Sequence, residues 1–108
     1  MASSKEYLEF VLDQLSLVDG ISTRKMMGEY LLYCNGKLFG GIYDDRFLVK
    51  PTKSALEKMP EARRELPYDG AKEMLLVEEV DDREFLKELV LGMWEELPKP
   101  KTIPKIMN

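Results

Sequence analysis

The sequence predicts an α+β fold of two layers, in which an antiparallel β-sheet is covered on one face by an N-terminal and a C-terminal helix. The first observation is a series of short apolar and aromatic segments over residues 21–50, separated by two-residue turn signals. The second is a pair of amphipathic stretches, at residues 4–18 and 81–97, whose apolar residues recur with helical spacing. The sheet is therefore predicted to be a meander completed by one later strand.

A chain of 108 residues has the length of one domain. We place this domain at residues 1–97, followed by a flexible tail rich in proline and lysine at residues 98–108. The chain has one cysteine and no histidine, so no internal disulfide can form and a cytoplasmic location is predicted. No apolar run reaches the roughly 18 residues that span a bilayer, and no signal peptide is visible, so no membrane partner is expected.

The first helix is predicted over residues 4–18, with Ser3 and Glu6 at the spacing of a capping box. Its apolar stripe faces the sheet. A left-handed cap at Gly20 would end this segment, and the first strand is predicted over residues 21–27, before a turn or bulge.

The meander is predicted from two tight turns and the strands that they join. Asn35-Gly36 is the strongest short hairpin signal in the chain, because both residues tolerate the positive φ of a type I′ turn. It joins strands at residues 30–34 and 38–43, and Asp44-Asp45 leads into a strand at residues 47–50.

The second half of the chain is predicted to cover the sheet. A short helix is expected over residues 52–59 with Thr52 as its cap, and residues 61–66 would add another helical turn. A later strand is expected over residues 73–80, and the final helix begins at Asp81.

The two turns also predict which side chains share a face of the sheet, because antiparallel partners point to the same side. The face expected to pack against the helices contains Leu31, Tyr33, Leu38, Gly40, Ile42, Phe47 and Val49. The opposite face contains Tyr30, Leu32, Cys34, Lys37, Phe39, Gly41, Tyr43, Arg46, Leu48 and Lys50.

This opposite face has two interpretations. In the first, the loop at residues 60–72 or the tail covers half of it, and its basic residues only make the rim soluble. In the second it is an apolar-aromatic patch with a basic rim, which suits a protein partner or a second copy of the chain. The interaction surface would then consist of Tyr30, Leu32, Lys37, Phe39, Tyr43, Arg46, Leu48 and Lys50.

No catalytic, cofactor-binding or metal-binding residue is predicted. Transition-metal sites and histidine-activated nucleophiles require side chains that this chain lacks. The paired carboxylates are adjacent in sequence, so on a regular element they point in different directions. Cys34 is interpreted as a small packed apolar residue, and Gly40-Gly41 as a close approach of another backbone, of a bulky ring or of a helix.

The ordered motif Arg24-Lys25-Met26-Met27-Gly28-Glu29-Tyr30 is followed by Tyr33, by Gly36-Lys37 and Phe39, and by residues 44–50. This order resembles the N-terminal domain of the TfoX/Sxy family of competence regulators. The resemblance covers the chain to about residue 96 and implies an antiparallel α+β domain without catalytic residues. Met27 stands where the family usually has an aromatic residue, which we interpret as a minor core change.

The resemblance implies a regulatory role in DNA transformation and transcription, in which family members are thought to act with the cAMP receptor protein. Those regulators carry a second, helical domain, whereas here a stand-alone domain is expected. We therefore expect a non-enzymatic domain that binds a protein, such as a transcription factor, or a second copy of itself.

Two alternatives remain from the sequence. Direct nucleic-acid binding would use Arg24, Lys25, Lys37, Arg46 and Lys50 together with the lysines of the tail. It is disfavoured because residues 1–98 carry 13 basic against 20 acidic side chains. A small-ligand or enzymatic domain would need a pocket between the sheet and the helices.

Overall fold

The computed structural model describes residues 3–99 and shows an α+β fold with three helices and a six-stranded antiparallel sheet in that range. The helices are α1 (Lys5–Gln14), α2 (Lys53–Lys58) and α3 (Arg83–Trp94). The strands are β1 (Ile21–Met26), β2 (Glu29–Cys34), β3 (Lys37–Tyr43), β4 (Arg46–Val49), β5 (Arg64–Glu65) and β6 (Met74–Leu76). They lie in the order β1-β2-β3-β4-β6-β5. The predicted fold class is confirmed, and most of the predicted tail lies outside the described residues.

The start of α1 is fixed by two neighbouring serines with different tasks. Ser4, rather than the predicted Ser3, is the N-cap, and its hydroxyl accepts a hydrogen bond from the Tyr7 amide at 3.1 Å. The Ser3 hydroxyl instead donates to the Glu29 carboxylate at 2.6 Å and accepts from the Asp45 amide at 3.0 Å. Ser3 therefore ties the helix start to the β1–β2 and β3–β4 hairpins.

The bounds of α1 and α3 also differ from the prediction. Helix α1 ends at Gln14 instead of residue 18, although Leu15 and Val18 remain buried in the turns that follow. Helix α3 is capped by Asp82 rather than Asp81, and its carboxylate accepts from the amide three residues later at 3.0 Å. Apolar spacing continues through these turns, which is why periodicity alone overextends α1.

Three predictions concern residues 52–80, and one of them is correct. Helix α2 forms with Thr52 as its N-cap, as predicted. The helical turn predicted at residues 61–66 is wrong, because Arg64–Glu65 forms β5 and pairs with β6. The strand predicted at residues 73–80 is only three residues long, since β6 pairs with β4 and β5 over this short stretch.

Three tight turns build the meander, each with two residues of positive φ, as type I′ hairpins require. They are Met27-Gly28 (53° and 86°), Asn35-Gly36 (49° and 85°) and Asp44-Asp45 (54° and 55°). Met27 is 95% exposed at the tip of the first hairpin. Its interpretation as a core substitution is therefore wrong.

A β-bulge changes the predicted faces of the sheet. Tyr33 pairs with Leu38 as expected, but Leu32 pairs with Gly40, so Phe39 is the extra residue. Phe39 and Gly40 then both lie on the helix side, and the alternation predicted for β2 and the start of β3 is reversed. The assignments of Ile42, Phe47 and Val49 to the core are confirmed, because they follow the bulge.

All three helices pack on one face of the sheet. The sheet residues buried beneath them are Leu32, Cys34, Phe39, Ile42, Phe47, Val49, Leu75 and Val77. The opposite face, called the outer face below, contains Ser22, Arg24, Met26, Glu29, Leu31, Tyr33, Leu38, Gly41, Tyr43, Arg46, Leu48 and Leu76. The predictions that placed Leu31, Tyr33 and Leu38 in the core are therefore wrong.

Gly40 and Gly41 lie where neighbouring atoms leave no room for a side chain. A Cβ on Gly40 would collide with the Leu48 carbonyl oxygen and lie 3.0 Å from Val49 Cα, so the close approach involves β4 and not a helix. A Cβ on Gly41 would lie 2.7 Å from the Tyr43 ring. The predicted close approach is confirmed, with a strand and a ring as the neighbours.

Candidate interaction surface

Half of the eight residues predicted to form an interaction surface are buried. Leu32, Phe39 and Leu48 are 0% exposed, and Tyr43 is 5% exposed. Tyr30 packs against the core beneath the helices. The prediction of one exposed patch from these side chains is therefore wrong, because the bulge turns Leu32 and Phe39 inward and other groups cover Tyr43 and Leu48.

Lys37, predicted to lie on the rim of that patch, instead fastens the β2–β3 hairpin to the end of α3. Its Nζ atom lies 3.8 Å from the centroid of the Trp94 ring and donates to the Trp94 carbonyl at 3.1 Å. The indole Nε1 of Trp94 donates in turn to the Cys34 carbonyl at 2.9 Å. A cation at this helix end also faces the negative pole of the helix dipole, so the position of Lys37 has a structural explanation.

Arg46 and the segment after β5 cover one half of the outer face. The guanidinium donates to Glu65 at 2.7 Å and to the Pro67 carbonyl at 3.4 Å. The ring of Tyr68 lies 6.2 Å from that of Tyr43, measured between centroids. The first of the two interpretations, in which the loop at residues 60–72 covers half the face, describes this part of the molecule.

Tyr43 is held in an environment that disfavours its ionised form. Burial, followed by the nearby Tyr68, Glu29 and Tyr33 side chains, raises the pKa of Tyr43 to about 12. The phenol therefore remains neutral at physiological pH. Its ring fills the space above Gly41, which explains why it is buried on a face that none of the helices α1, α2 and α3 covers.

The other half of the outer face, on β1, β2 and the start of β3, is not covered by any segment of residues 3–99. Leu31, Tyr33 and Leu38 are half-buried there, and Met26 and Arg24 are exposed at the β1 edge. We call these five residues the open patch. Four of them are apolar or aromatic, and the register places all five on one side of neighbouring strands. This is a surface that a binding partner can cover.

The sequence pattern predicts the open patch only in part. Arg24, Met26 and Tyr33 are motif positions, but the predicted register assigns Tyr33 to the core together with Leu31 and Leu38. The signal that distinguishes the faces is the Gly40-Gly41 pair, since glycine within a strand often marks a bulge.

Three other motif residues have structural roles in β2 and the turns. Gly28 and Gly36 supply positive φ in two turns, and Tyr30 packs on the core. Arg24 and Lys25 are exposed, and among residues 3–99 their side chains have no hydrogen bond or ion pair. These two cations are therefore among the motif positions that the fold itself does not explain.

Four of the five cations considered for nucleic-acid binding, Arg24, Lys25, Lys37 and Arg46, do not converge. Lys25 and Lys37 lie on the helix side near opposite ends of β2, whereas Arg24 lies on the outer face. Lys37 and Arg46 are engaged with Trp94 and Glu65. A continuous basic footprint of the kind that tracks phosphates is not formed by this set.

Two open clefts flank the helices within the described residues. The larger, about 430 Å³, lies where Cys34 meets the end of α3, and the second, about 340 Å³, lies beside Met59 and Leu76. The Cys34 thiol is buried and contacts the Asp19 carbonyl at 3.6 Å, and burial raises its pKa. The thiol is therefore protonated and packed, as predicted, rather than exposed as a nucleophile.

Two further findings concern residues 3–99. No three His, Cys, Asp or Glu side chains in this range come together in an arrangement that could hold a metal ion. None of the helices in the same range is long and apolar enough to cross a membrane.

The chain is similar to a known protein family and to a bacterial protein of comparable length. The sequence model of the family described as the TfoX N-terminal domain matches residues 13–91, which include every strand of the sheet. The "Uncharacterized 12.7 kDa protein in trpE 5' region" of Spirochaeta aurantia is 32% identical over 102 residues, covering 94% of this chain and 89% of that protein. No solved structure matches the chain at a significant level.

Proposed function

Because the chain belongs to the TfoX N-terminal domain family, we propose that it is a cytoplasmic, non-catalytic regulatory domain that binds another protein through the open patch. The context implied by the family resemblance is the control of DNA transformation and transcription. A transcription factor is accordingly the class of partner that this proposal favours.

The observation that carries the proposal is the division of the outer face into a covered and an open half. The covered half is completed by Arg46, Pro67 and Tyr68. The open half has the same kind of apolar and aromatic side chains but no segment of residues 3–99 over it. Leu31, Tyr33 and Leu38 therefore have apolar surface to bury against a partner.

The composition of the open patch fits a protein interface. Aromatic residues, methionine and arginine are enriched in the cores of such interfaces, and the patch has one of each. Arg24 has no ion-pair partner among the described residues, so a carboxylate on the partner can approach it. The buried Cys34 thiol and the neutral Tyr43 phenol support a binding role over a catalytic one, since neither is prepared for chemistry at neutral pH.

The test compares two double variants by affinity capture from the native cells. Tyr33→Ser/Leu38→Ser removes apolar surface from the open patch. The matched control, Phe10→Ser/Leu91→Ser, removes two exposed apolar side chains from helices α1 and α3 on the other side of the molecule. Circular dichroism first confirms that both variants are folded.

A protein captured by the parent is then purified and its Kd is measured with each variant. We expect the patch variant to bind at least about 10-fold more weakly, because truncation of two interface side chains commonly costs more than about 1.4 kcal/mol. The control variant should bind like the parent. If both double variants bound equally well, the open patch would not be the binding surface.

The same parent and variant proteins also test the alternatives that were predicted from the sequence. Binding to DNA or RNA that weakens steeply with salt, together with no protein partner, would contradict the proposal. A concentration-dependent dimer that the patch variant abolishes would identify the partner as a second copy of the chain.

A further inference from the structure

Strand β1 forms a free edge of the sheet. Among residues 3–99 it pairs only with β2, and its residues after Ile21 are exposed. The opposite edge, β5, is two residues long, so β1 is the long edge of this sheet. An exposed edge of this length is a template for pairing with another strand.

The hairpin geometry identifies which amides of β1 point outward. Residues that flank a two-residue turn exchange both backbone hydrogen bonds, and hydrogen-bonded pairs then alternate along the ladder. Met26, Arg24 and Ser22 therefore bond to β2, as does the Gly20 carbonyl, which accepts from the Asn35 amide at 2.9 Å. The amides and carbonyls of Ile21, Thr23 and Lys25 point away from the sheet.

The charge of this edge differs from that of the molecule. Residues 1–98 carry 20 acidic and 13 basic side chains, yet β1 contains two adjacent cations and no acid. Arg24 lies on the outer face and Lys25 on the helix side, because neighbouring strand residues point to opposite faces. Within residues 3–99 neither side chain has a carboxylate partner.

We propose that β1 captures an extended acidic segment of a partner protein, which adds to the sheet as a seventh strand. The backbone of the segment bonds to Ile21, Thr23 and Lys25, and two successive acidic residues reach Arg24 on one face and Lys25 on the other. A second copy of this chain would bring its own basic β1 to the same edge, so charge complementarity favours an acidic strand.

Cations on an edge strand also deter aggregation, and that role requires no partner. Strand addition differs from it in a measurable way, because it protects the three outward amides from hydrogen exchange. The proposal rests on the proposed function in one respect, which is that the partner is a protein. It concerns the β1 edge, whereas the proposed function concerns the open patch beside it.

The first experiment uses the 15N-labelled chain and an acetylated, amidated peptide of sequence Val-Thr-Glu-Glu-Thr-Val. We expect the peptide to slow exchange at the amides of Ile21, Thr23 and Lys25 by at least about 10-fold at saturation, because ladder bonds protect amides from solvent. The amides of Ser22 and Arg24, already bonded to β2, should change little. The control peptide has Lys-Lys in place of Glu-Glu and should give no protection.

Two variants test backbone and charge separately. Thr23→Pro removes an outward N–H without removing a bond to β2, so it should abolish protection of the edge while the fold remains. Arg24→Glu/Lys25→Glu should reverse the preference and bind the Lys-Lys peptide. No protection at about 1 mM acidic peptide, or equal protection by both peptides, would overturn the proposal.

Binding of the protein captured in the test of the open patch distinguishes the two proposals. If Thr23→Pro weakens that partner's binding as Tyr33→Ser/Leu38→Ser does, the strand and the patch belong to one interface. If only the patch variant weakens binding, strand addition is wrong for this partner and the proposed function stands. If neither variant weakens binding, both are wrong.

Discussion

Replacement of Lys37 by methionine tests whether this lysine is a structural residue rather than part of a binding surface. Lys37→Met keeps the aliphatic stem but removes the ammonium from above the Trp94 ring and from the Trp94 carbonyl. The β2–β3 hairpin would then be held to α3 only by the bond from the indole to the Cys34 carbonyl and by apolar packing.

The expected loss follows from three interactions of one ammonium group. A hydrogen bond that involves a charged group contributes roughly 1.5–3 kcal/mol. A cation–π contact contributes about 0.5–1 kcal/mol, and a cation at a helix C-terminus about 0.3–1 kcal/mol. These terms share one group and are partly solvated, so we expect a total loss of about 2 kcal/mol rather than their sum.

Urea unfolding followed by tryptophan fluorescence measures this loss directly, because Trp94 is the single tryptophan of the chain and lies at the site of the change. Lys25→Met is the matched control, since its ammonium is exposed and has no described partner. It should change the free energy of unfolding by less than about 0.5 kcal/mol. The structural role assigned to Lys37 would be refuted if the two variants were equally stable.

Three further predictions concern glycine positions and titrating groups. Gly92→Ala should raise the free energy of unfolding by about 0.5–1 kcal/mol, since it improves helix propensity and its Cβ would lie at a normal 3.7 Å from Ser54. Gly40→Ala should instead lower it by roughly 1–3 kcal/mol, because its Cβ meets the backbone of β4. Urea unfolding of the two alanine variants should therefore give changes in the free energy of unfolding of opposite sign. The Ser54 amide, followed by its hydroxyl, lowers the pKa of Glu96 below its ordinary value of 4.5. The charged carboxylate thus stabilises the fold above that value and loses this effect as the pH falls through the folded-state pKa. Glu96→Gln should consequently be less stable than the parent at pH 7, with a difference that shrinks under acidic conditions; a pH-independent difference would contradict the assignment. In an alkaline ultraviolet titration, Tyr43 should ionise near pH 12, and Tyr43→Phe should remove that late step while leaving the earlier tyrosine transitions in place.

The tight turns and a helix cap are predicted correctly, because they depend on residues that are close in sequence. Asn35-Gly36 is predicted as a hairpin turn because both residues tolerate positive φ, and Asp44-Asp45 is predicted as the next tight turn; both turns form. Thr52 was identified as a helix cap, and its hydroxyl accepts from the Ala55 amide as expected. These features depend on residues within one turn of each other, so a sequence determines them without knowledge of the rest of the fold.

The candidate site depended on longer-range contacts, and there the sequence was insufficient. A single bulge at Phe39 reversed the faces of β2, and the adjacent Leu31 and Leu32 are both apolar, so composition could not identify the inward one. Lys37 was assigned to a solvent-exposed rim because its partner, Trp94, is 57 residues away in the chain. The open patch became visible only when pairing and helix packing were known together.

The central claim is that the open patch contacts another protein in the cell, and site-specific photo-cross-linking tests it most directly. A benzophenone amino acid is placed at position 33, in the open patch, and in a second protein at position 10, on the exposed side of α1. The account predicts a discrete cross-linked protein from position 33 that is absent from position 10. Identical products from both positions, or none from position 33, would contradict it.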